Sequence, residues 1–262
     1  MEMFVASNPM LDKLRNGDVV FGTELRTRSP IIAELIGLCG FDFVHIETEH
    51  YISNDESIEN AVRAAQLTGT VPLLRIPTLE ESRILQVLDM GIQGLILPHV
   101  DTPEEARSII RAGKYPPQGE RGASFNSRAA NYGIGSTCEE YYATANKNVA
   151  IIPMIESEQG VKNIEAILDT KPDVIRIGRD DLSLSMGLSQ KDEKFIKAMQ
   201  RVIACASERN IAVGTGAASA EQAKYFIDMG FRMITYMSEV TILAEKYQSI
   251  MQSLRNVAAE AR

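Results

Sequence analysis

A few residues of the 262-residue chain can do chemistry, and each closes a short apolar run. Glu24 follows VVFGT, and the cluster Glu47, Glu49 and His50 ends FVHIETEH. Arg75 follows VPLL, His99 and Asp101 follow GLILP, Glu156 follows VAIIPMI, and Asp180 and Asp181 follow VIRIGR. Singly, each reads as a cap or a turn residue. Together they are carboxylates, an arginine and a histidine, the composition of a site for a divalent cation and a small organic acid. Glu156 and Asp181 come from neighbouring runs with no Cys or His beside them, which suits Mg²⁺ or Mn²⁺ better than zinc; capping the turns that follow is the alternative. Arg75 reads either as a buried ion-pair partner or as an anion clamp. Glu47 lies three residues before His50, where a carboxylate sets an imidazole's tautomer and raises its basicity. His45 points to the same face as Glu47 and reads as packing, and His99 reads as a turn residue. No lysine closes a run; Lys147 and Lys171 precede theirs. A Schiff-base aldolase needs a lysine there, so carbonyl chemistry would be metal-assisted.

Those residues meet only if the runs are parallel strands opening at one end. The expected strands are 19–25, 43–50, 71–77, 94–100, 149–157, 174–182, 211–217 and 233–238. Between them lie helical patterns: Ser29-Pro30 opens one, a second follows Ser53-Asn54-Asp55, Thr102 caps a third, and Ser219 to Gly230 brackets a fourth. Eight strands alternating with helices predict an α/β fold of the (β/α)8 barrel type, one domain over 1–262, with function at the C-terminal strand ends. A doubly wound sheet would carry a glycine-rich turn after its first strand; here that strand leads into Arg26-Thr27-Arg28-Ser29-Pro30. The least regular stretch, 114–136, is long enough to expect a role for it.

Lys plus Arg total 27 against 35 Asp plus Glu, a net charge of −8. That balance argues against nucleic acid and against an anionic membrane as partners, since both are bound through excess positive charge. Three scattered cysteines, Cys39, Cys138 and Cys205, suggest a reduced compartment without a disulfide framework. The first residues lack a basic-then-apolar leader, and the longest apolar run is about seven residues, against roughly 20 for a membrane span. A soluble, cytoplasmic protein is expected.

The runs FDFVHIETEH, LLRIP, KYPPQGERG, PMIES and IGRDDLSLSMG resemble the HpcH/HpaI aldolases, collinearly over about 11–250. These are metal-dependent class II pyruvate aldolases of the phosphoenolpyruvate/pyruvate barrel superfamily. The resemblance implies that Glu156 and Asp181 hold a divalent cation, Mg²⁺, Mn²⁺ or Co²⁺. It implies that Arg75 holds the pyruvyl group and its enolate, that His50 pairs with Glu47 as the catalytic histidine and carboxylate, and that the Gly178, Asp180 and Asp181 turn binds the substrate carboxylate. It further implies a homo-hexamer, a trimer of dimers, with the last helix swapped onto a neighbour and the 114–136 loop reaching towards an adjacent site.

The chain departs from that pattern around the same residues. Glu47 stands where the family commonly has Asp, Thr48 where it has Gly, Met154 where it has Gln, Arg179-Asp180 where it has Pro-Ala, and Glu24 where an aromatic is frequent. The implied reaction is reversible cleavage of a 4-hydroxy-2-oxo acid to pyruvate and an aldehyde. The alternatives are a lyase or decarboxylase acting on a related 2-oxo diacid or acyl-CoA ester, and a non-catalytic paralogue that binds a 2-oxo acid.

Overall fold

A computed structural model describes residues 7–261, and the expectation about a leader falls mostly outside them. Eight strands run in order: β1 (Val20–Leu25), β2 (Phe43–Glu47), β3 (Val71–Arg75), β4 (Gly94–Leu97), β5 (Ala150–Ile155), β6 (Val174–Ile177), β7 (Ala212–Ala217) and β8 (Met233–Ser238). Each pairs in parallel with the next, and β8 closes on β1, giving a (β/α)8 barrel. All eight expected strands are present. Five end sooner than expected: β2 stops at Glu47, β3 at Arg75, β4 at Leu97, β5 at Ile155 and β6 at Ile177. There the chain turns outward, because the charged residues that follow serve the mouth rather than the ladder.

Local chemistry sets the helices. Ser29 caps Pro30–Leu38 with proline at the first position, and Thr102 and Glu105 form a reciprocal capping box on Pro103–Gly113. Ser219 caps Ala220–Met229, which stops at Gly230 with φ 117°, a conformation that favours glycine. Segment 114–136 carries a short 3-10 turn, Arg128–Gly133, and packs by Arg128 on the carbonyl of Met90 and on Gln66. That places it near the N-terminal strand ends of its own barrel.

Two apolar layers hold the barrel. One lies between sheet and helices. The other fills the interior with Val20, Phe43, Leu73, Ile152, Val174 and Met233, plugged from below by Met10, Leu11 and Leu14 of the helix Pro9–Arg15. Because strand side chains alternate with period two, the inward positions can be followed upward. Phe43 gives way to His45 and Glu47, Leu73 to Arg75, Val174 to Arg176, and Val20 to Gly22 and then Glu24. Gly22 leaves the space that the Phe43 ring occupies. The interior thus changes from apolar to charged one layer below the mouth.

Among the described residues no helix is long and apolar enough to cross a membrane, and the three cysteines are free.

Candidate active site

A cavity of about 430 Å³ opens at the C-terminal strand ends. Glu24, Arg75, Arg176, Asp181 and His50 are among the residues that line it. Arg75 stands between two carboxylates. Its Nε lies 2.7 Å from Glu47 Oε2 and 2.9 Å from Glu49 Oε2, with neither contact aligned as a hydrogen bond. The outer end of the guanidinium is less engaged: Nη1 meets only the Met154 sulfur at 3.9 Å. An arginine fixed at its inner nitrogen, whose outer ones make no hydrogen bond to oxygen among the described residues, can receive an oxyanion.

Glu47 is buried, and its Oε1 accepts the backbone amides of Glu49 at 2.7 Å and His50 at 3.1 Å. The expected contact between Glu47 and the His50 imidazole is therefore replaced by one to the His50 backbone. The imidazole beside Glu47 is that of His45, 3.6 Å away. The reason is the early end of β2: His45 keeps the inward face two residues below Glu47, while His50 sits past the turn, exposed on the cavity wall.

His45 is wholly buried, and no hydrogen bond reaches either ring nitrogen. Burial, reinforced by the positive charges of Arg176, Arg75 and Arg26, holds its pKa well below the ordinary 6.5. In the unfolded chain it takes up a proton near that ordinary value, so stability is kept above it and lost as pH falls through it. Unfolding midpoints should therefore drop between about pH 7.5 and 6, by at most about 1.4 kcal/mol per pH unit. His45→Gln should flatten that slope; an unchanged slope would place the titration elsewhere. Glu24 and Glu156, whose pKa values are raised, act with the opposite sign as pH falls towards the carboxylate range.

Glu156 is 3% exposed at the end of β5. Its Oε1 accepts the His99 amide at 2.6 Å and lies 3.1 Å from His99 Nδ1. The other side of that imidazole, Nε2, is 3.3 Å from Glu49 Oε1. His99 does sit in a turn, with φ 55°, but it also bridges two carboxylates of the mouth. That role is invisible in the sequence, because the partners lie far away along the chain. Burial is the main cause that raises the Glu156 pKa; His99 opposes it, and Glu49 and Asp181 add to it. Gly178 is required here, since a Cβ on it would come 2.5 Å from Glu156 Oε2. Asp180 and Asp181 are exposed in the first turn of the helix Arg179–Met186, whose N-cap Gly178 offers no side chain to its first amides.

Further residues were missed in the sequence. Arg176 occupies the interior beside Arg75, and burial with that neighbour brings its pKa down to about 10. Glu239, buried at the start of the last helix, accepts the amides of Arg26 at 2.8 Å and Thr27 at 2.6 Å and so fixes the loop after β1. Arg26 in turn holds Glu24, with Nη2 at 2.6 Å. The VIRIG run does place an inward cation at Arg176, by alternation with Val174; Glu239 carries no such signal.

Two carboxylate groupings can take a cation. Glu24, His45 and Glu47 bring ligand atoms within 4.8 Å of one another. Glu24 is already paired with Arg26, and Glu47 with Arg75. Glu156, with Asp181 nearby, faces no guanidinium within 4 Å among the described residues. A second cavity, lined in part by Arg63, Arg121 and Arg128, lies beside Gln93 and Val149 at the opposite strand ends. Arg121 and Arg128 there are engaged with Asp89, Met90 and Gln66.

Fold and mouth define the class, a (β/α)8 barrel enzyme with its charged site at the C-terminal strand ends. The chain belongs to the HpcH/HpaI aldolase/citrate lyase family, whose profile matches residues 25–245. It is 31% identical to the hydroxypyruvate/pyruvate aldolase of Paraburkholderia phytofirmans, over 97% of this chain and 100% of that one. It is 32% identical to a 5-keto-4-deoxy-D-glucarate aldolase of Escherichia coli O6:H1, over 87% and 89% of the two chains. A solved HpcH/HpaI aldolase/citrate lyase family protein from Burkholderia cenocepacia superposes with a TM-score of 0.88 at 29% identity, over 95% of this chain and 100% of that one. The protein is accordingly an aldolase-type carbon–carbon lyase.

Proposed function

We propose that the protein catalyses reversible, divalent-metal-dependent cleavage of a 4-hydroxy-2-oxo acid to pyruvate and an aldehyde. The observation that carries this reading is Arg75: it lines the cavity, its Nε is braced by Glu47 and Glu49, and among the described residues no oxygen takes a hydrogen bond from its outer nitrogens. Glu156 and Asp181 are the residues that would hold the cation, on the donor chemistry described above. When bound, Mg²⁺ or Mn²⁺ supplies Lewis-acid polarisation of the keto oxygen. Zinc fits less well, because the donors are hard oxygens.

The chain's own residues do the rest. The amides of Asp180 and Asp181, met by no capping side chain at the positive end of a helix, bind the substrate carboxylate. Exposed on the wall, His50 takes the proton from the C4 hydroxyl, directly or through a water. The C3–C4 bond breaks, the aldehyde leaves, and its electron pair stays as pyruvate enolate. Arg75 donates to the enolate oxygen, where charge develops. Protonation at C3 completes pyruvate.

Two measurements test this. Pyruvate release from a panel of 4-hydroxy-2-oxo acids with Mn²⁺ should identify a substrate. Independently, the methyl protons of pyruvate should exchange in D₂O, because enolisation needs no aldehyde. Absence of both would defeat the reading.

The assembly belongs to the same proposal. The helix Glu239–Glu260 has 22 residues, and only Glu239 is buried. Leu243, Tyr247, Ile250 and Leu254 are exposed along it. Meanwhile a groove lined by Phe21 of β1, Ile234 and Tyr236 of β8, and Ala223 and Ile227 lies open beside the helix Ala220–Met229. In a closed barrel that is where the helix after β8 packs. A second copy's terminal helix fills it, as in the swapped dimers of a hexamer. Light scattering should show an oligomer, and truncation after residue 240 should give monomers; a monomeric full chain would refute the swap.

A further inference from the structure

The second cavity, of about 240 Å³, lies at the other end of the barrel from the mouth, beside the residues that lead into β4 and β5. Arg63, Arg121 and Arg128 reach its wall from three separate segments, and no carboxylate lines it among the described residues. Arg63 belongs to the helix Asp55–Leu67 and pairs with Glu59 at 2.5 Å. Arg121 is buried and pairs with Asp89 at 2.7 Å, while its Nε is buried with no hydrogen-bond partner. Arg128 makes no ion pair among the described residues. Its Nη1 donates to the Met90 carbonyl at 2.8 Å and its Nη2 to Gln66 Oε1 at 2.6 Å, both neutral acceptors. Three guanidiniums therefore meet two carboxylates, which leaves one positive charge at the wall of a cavity in a chain whose net charge is −8.

That charge is costly to keep there. Burial, and then the charge of Arg63, bring the Arg128 pKa below its ordinary value. The local backbone nevertheless makes a seat for it. Gly91 has φ 93°, and a Cβ on it would collide with Arg128 Nη1, so the arginine fits only beside glycine. Asn131 and Tyr132 hold left-handed backbone, with φ 51° and 55°, just ahead of Gly133 at 78°. That conformation is unfavourable for both side chains, and such strain gathers at ligand sites. The turn brings Tyr132 to the cavity wall, where Ile92 and Tyr141 add apolar surface.

We propose that this cavity is a second ligand site, remote from the mouth, which takes a small organic acid with one carboxylate and an apolar body. The carboxylate meets the arginines, and the body lies against Ile92, Tyr132 and Tyr141. One carboxylate matches the one unanswered charge, and a guanidinium's planar fork suits it. The apolar part of the wall favours an organic acid over inorganic phosphate, which would bury no apolar surface there. The size fits as well. An apolar cavity of about 150 Å³ holds benzene, so this one has room for a ring and its carboxylate. The proposal is independent of the aldolase reading, because the catalytic residues lie at the opposite strand ends.

The test is titration calorimetry of the full chain with benzoate, benzamide and inorganic phosphate at fixed ionic strength. Benzoate should bind about tenfold or more tightly than benzamide, its neutral counterpart of the same shape, the worth of one hydrogen bond to a charged group. Phosphate, which carries charge without the apolar body, should bind more weakly than benzoate. Arg128→Met should weaken benzoate by about tenfold or more. Because Arg128 also ties segment 114–136 to Met90 and Gln66, a second variant guards against misfolding. Arg63 is half-exposed on its helix, so Arg63→Met should fold normally and still weaken benzoate. Arg75→Lys, at the mouth, should leave the benzoate affinity unchanged. No benzoate binding, or equal affinity for benzoate and benzamide, would overturn the site. So would binding that Arg75→Lys abolishes and Arg63→Met spares, since the acid would then sit at the mouth. Phosphate binding as tight as benzoate would overturn the assignment to an organic acid.

Discussion

Arg75→Ala should lower kcat/KM by roughly 10²–10³-fold, the loss typical of removing one oxyanion donor from a water-poor site. The loss should fall on kcat more than on KM, because the charge on the enolate oxygen is greatest in the transition state. The variant also strips Glu47 and Glu49 of their cation, and Glu47 is 1% exposed. Leaving buried carboxylates unpaired costs about 3–5 kcal/mol, so alanine alone confounds catalysis with folding. Arg75→Lys separates them. An ammonium still offsets the two carboxylates, but it lacks the planar fork that reaches the cavity from a braced Nε. The lysine variant should keep its Tm close to wild type and still lose most of the turnover. Near-normal kcat in Arg75→Lys would show that positive charge suffices, and near-normal kcat in a folded Arg75→Ala would make Arg75 a structural ion-pair residue.

Much of this arrangement is legible in the sequence because it obeys period two. Apolar residues fill the lower barrel, and the polar residue that breaks each run marks the mouth. Glu47, Arg75 and Glu156 are readable for that reason, each being a charged residue at its run's upper end. What is not legible depends on contacts between distant segments. The expected pairing of Glu47 with the His50 ring assumes that β2 continues to His50; the strand stops at Glu47, and the ring beside Glu47 is His45. His99 looks like a turn residue until β2 and β5 bring Glu49 and Glu156 to either side of it. Glu239 serves the loop after β1 only because β8 closes the barrel next to β1. Alternation gives an inward direction, and it does not give the partner met there.

The Glu156 carboxylate makes a prediction that couples stability to activity with opposite signs. In the folded chain it is buried beside Glu49 and Asp181, and its raised pKa means that folding works against its ionisation at neutral pH. A raised carboxylate pKa lowers stability above the folded value and relieves it as pH falls, so the metal-free protein carries a strain at pH 7 that a cation would remove. Glu156→Gln keeps the shape and leaves a carbonyl oxygen to accept the His99 amide, while it removes the charge. Without metal, the variant should unfold at a higher temperature than wild type. With Mn²⁺ at about 100 times its Kd, wild type should gain roughly 2.7 kcal/mol, visible as a rise of several degrees in Tm. The variant should gain little. Activity should move the other way: chelated wild type should lose turnover and recover it on adding Mn²⁺ or Mg²⁺, and Glu156→Gln should stay inactive under both conditions. A variant that is more stable, metal-insensitive and inactive identifies Glu156 as a cation ligand, because a cap residue would lose stability when its charge is removed. Full activity in chelated wild type, or an Mn²⁺ response in Glu156→Gln equal to wild type, would move the cation to another group, and Glu24, His45 and Glu47 would be next to test.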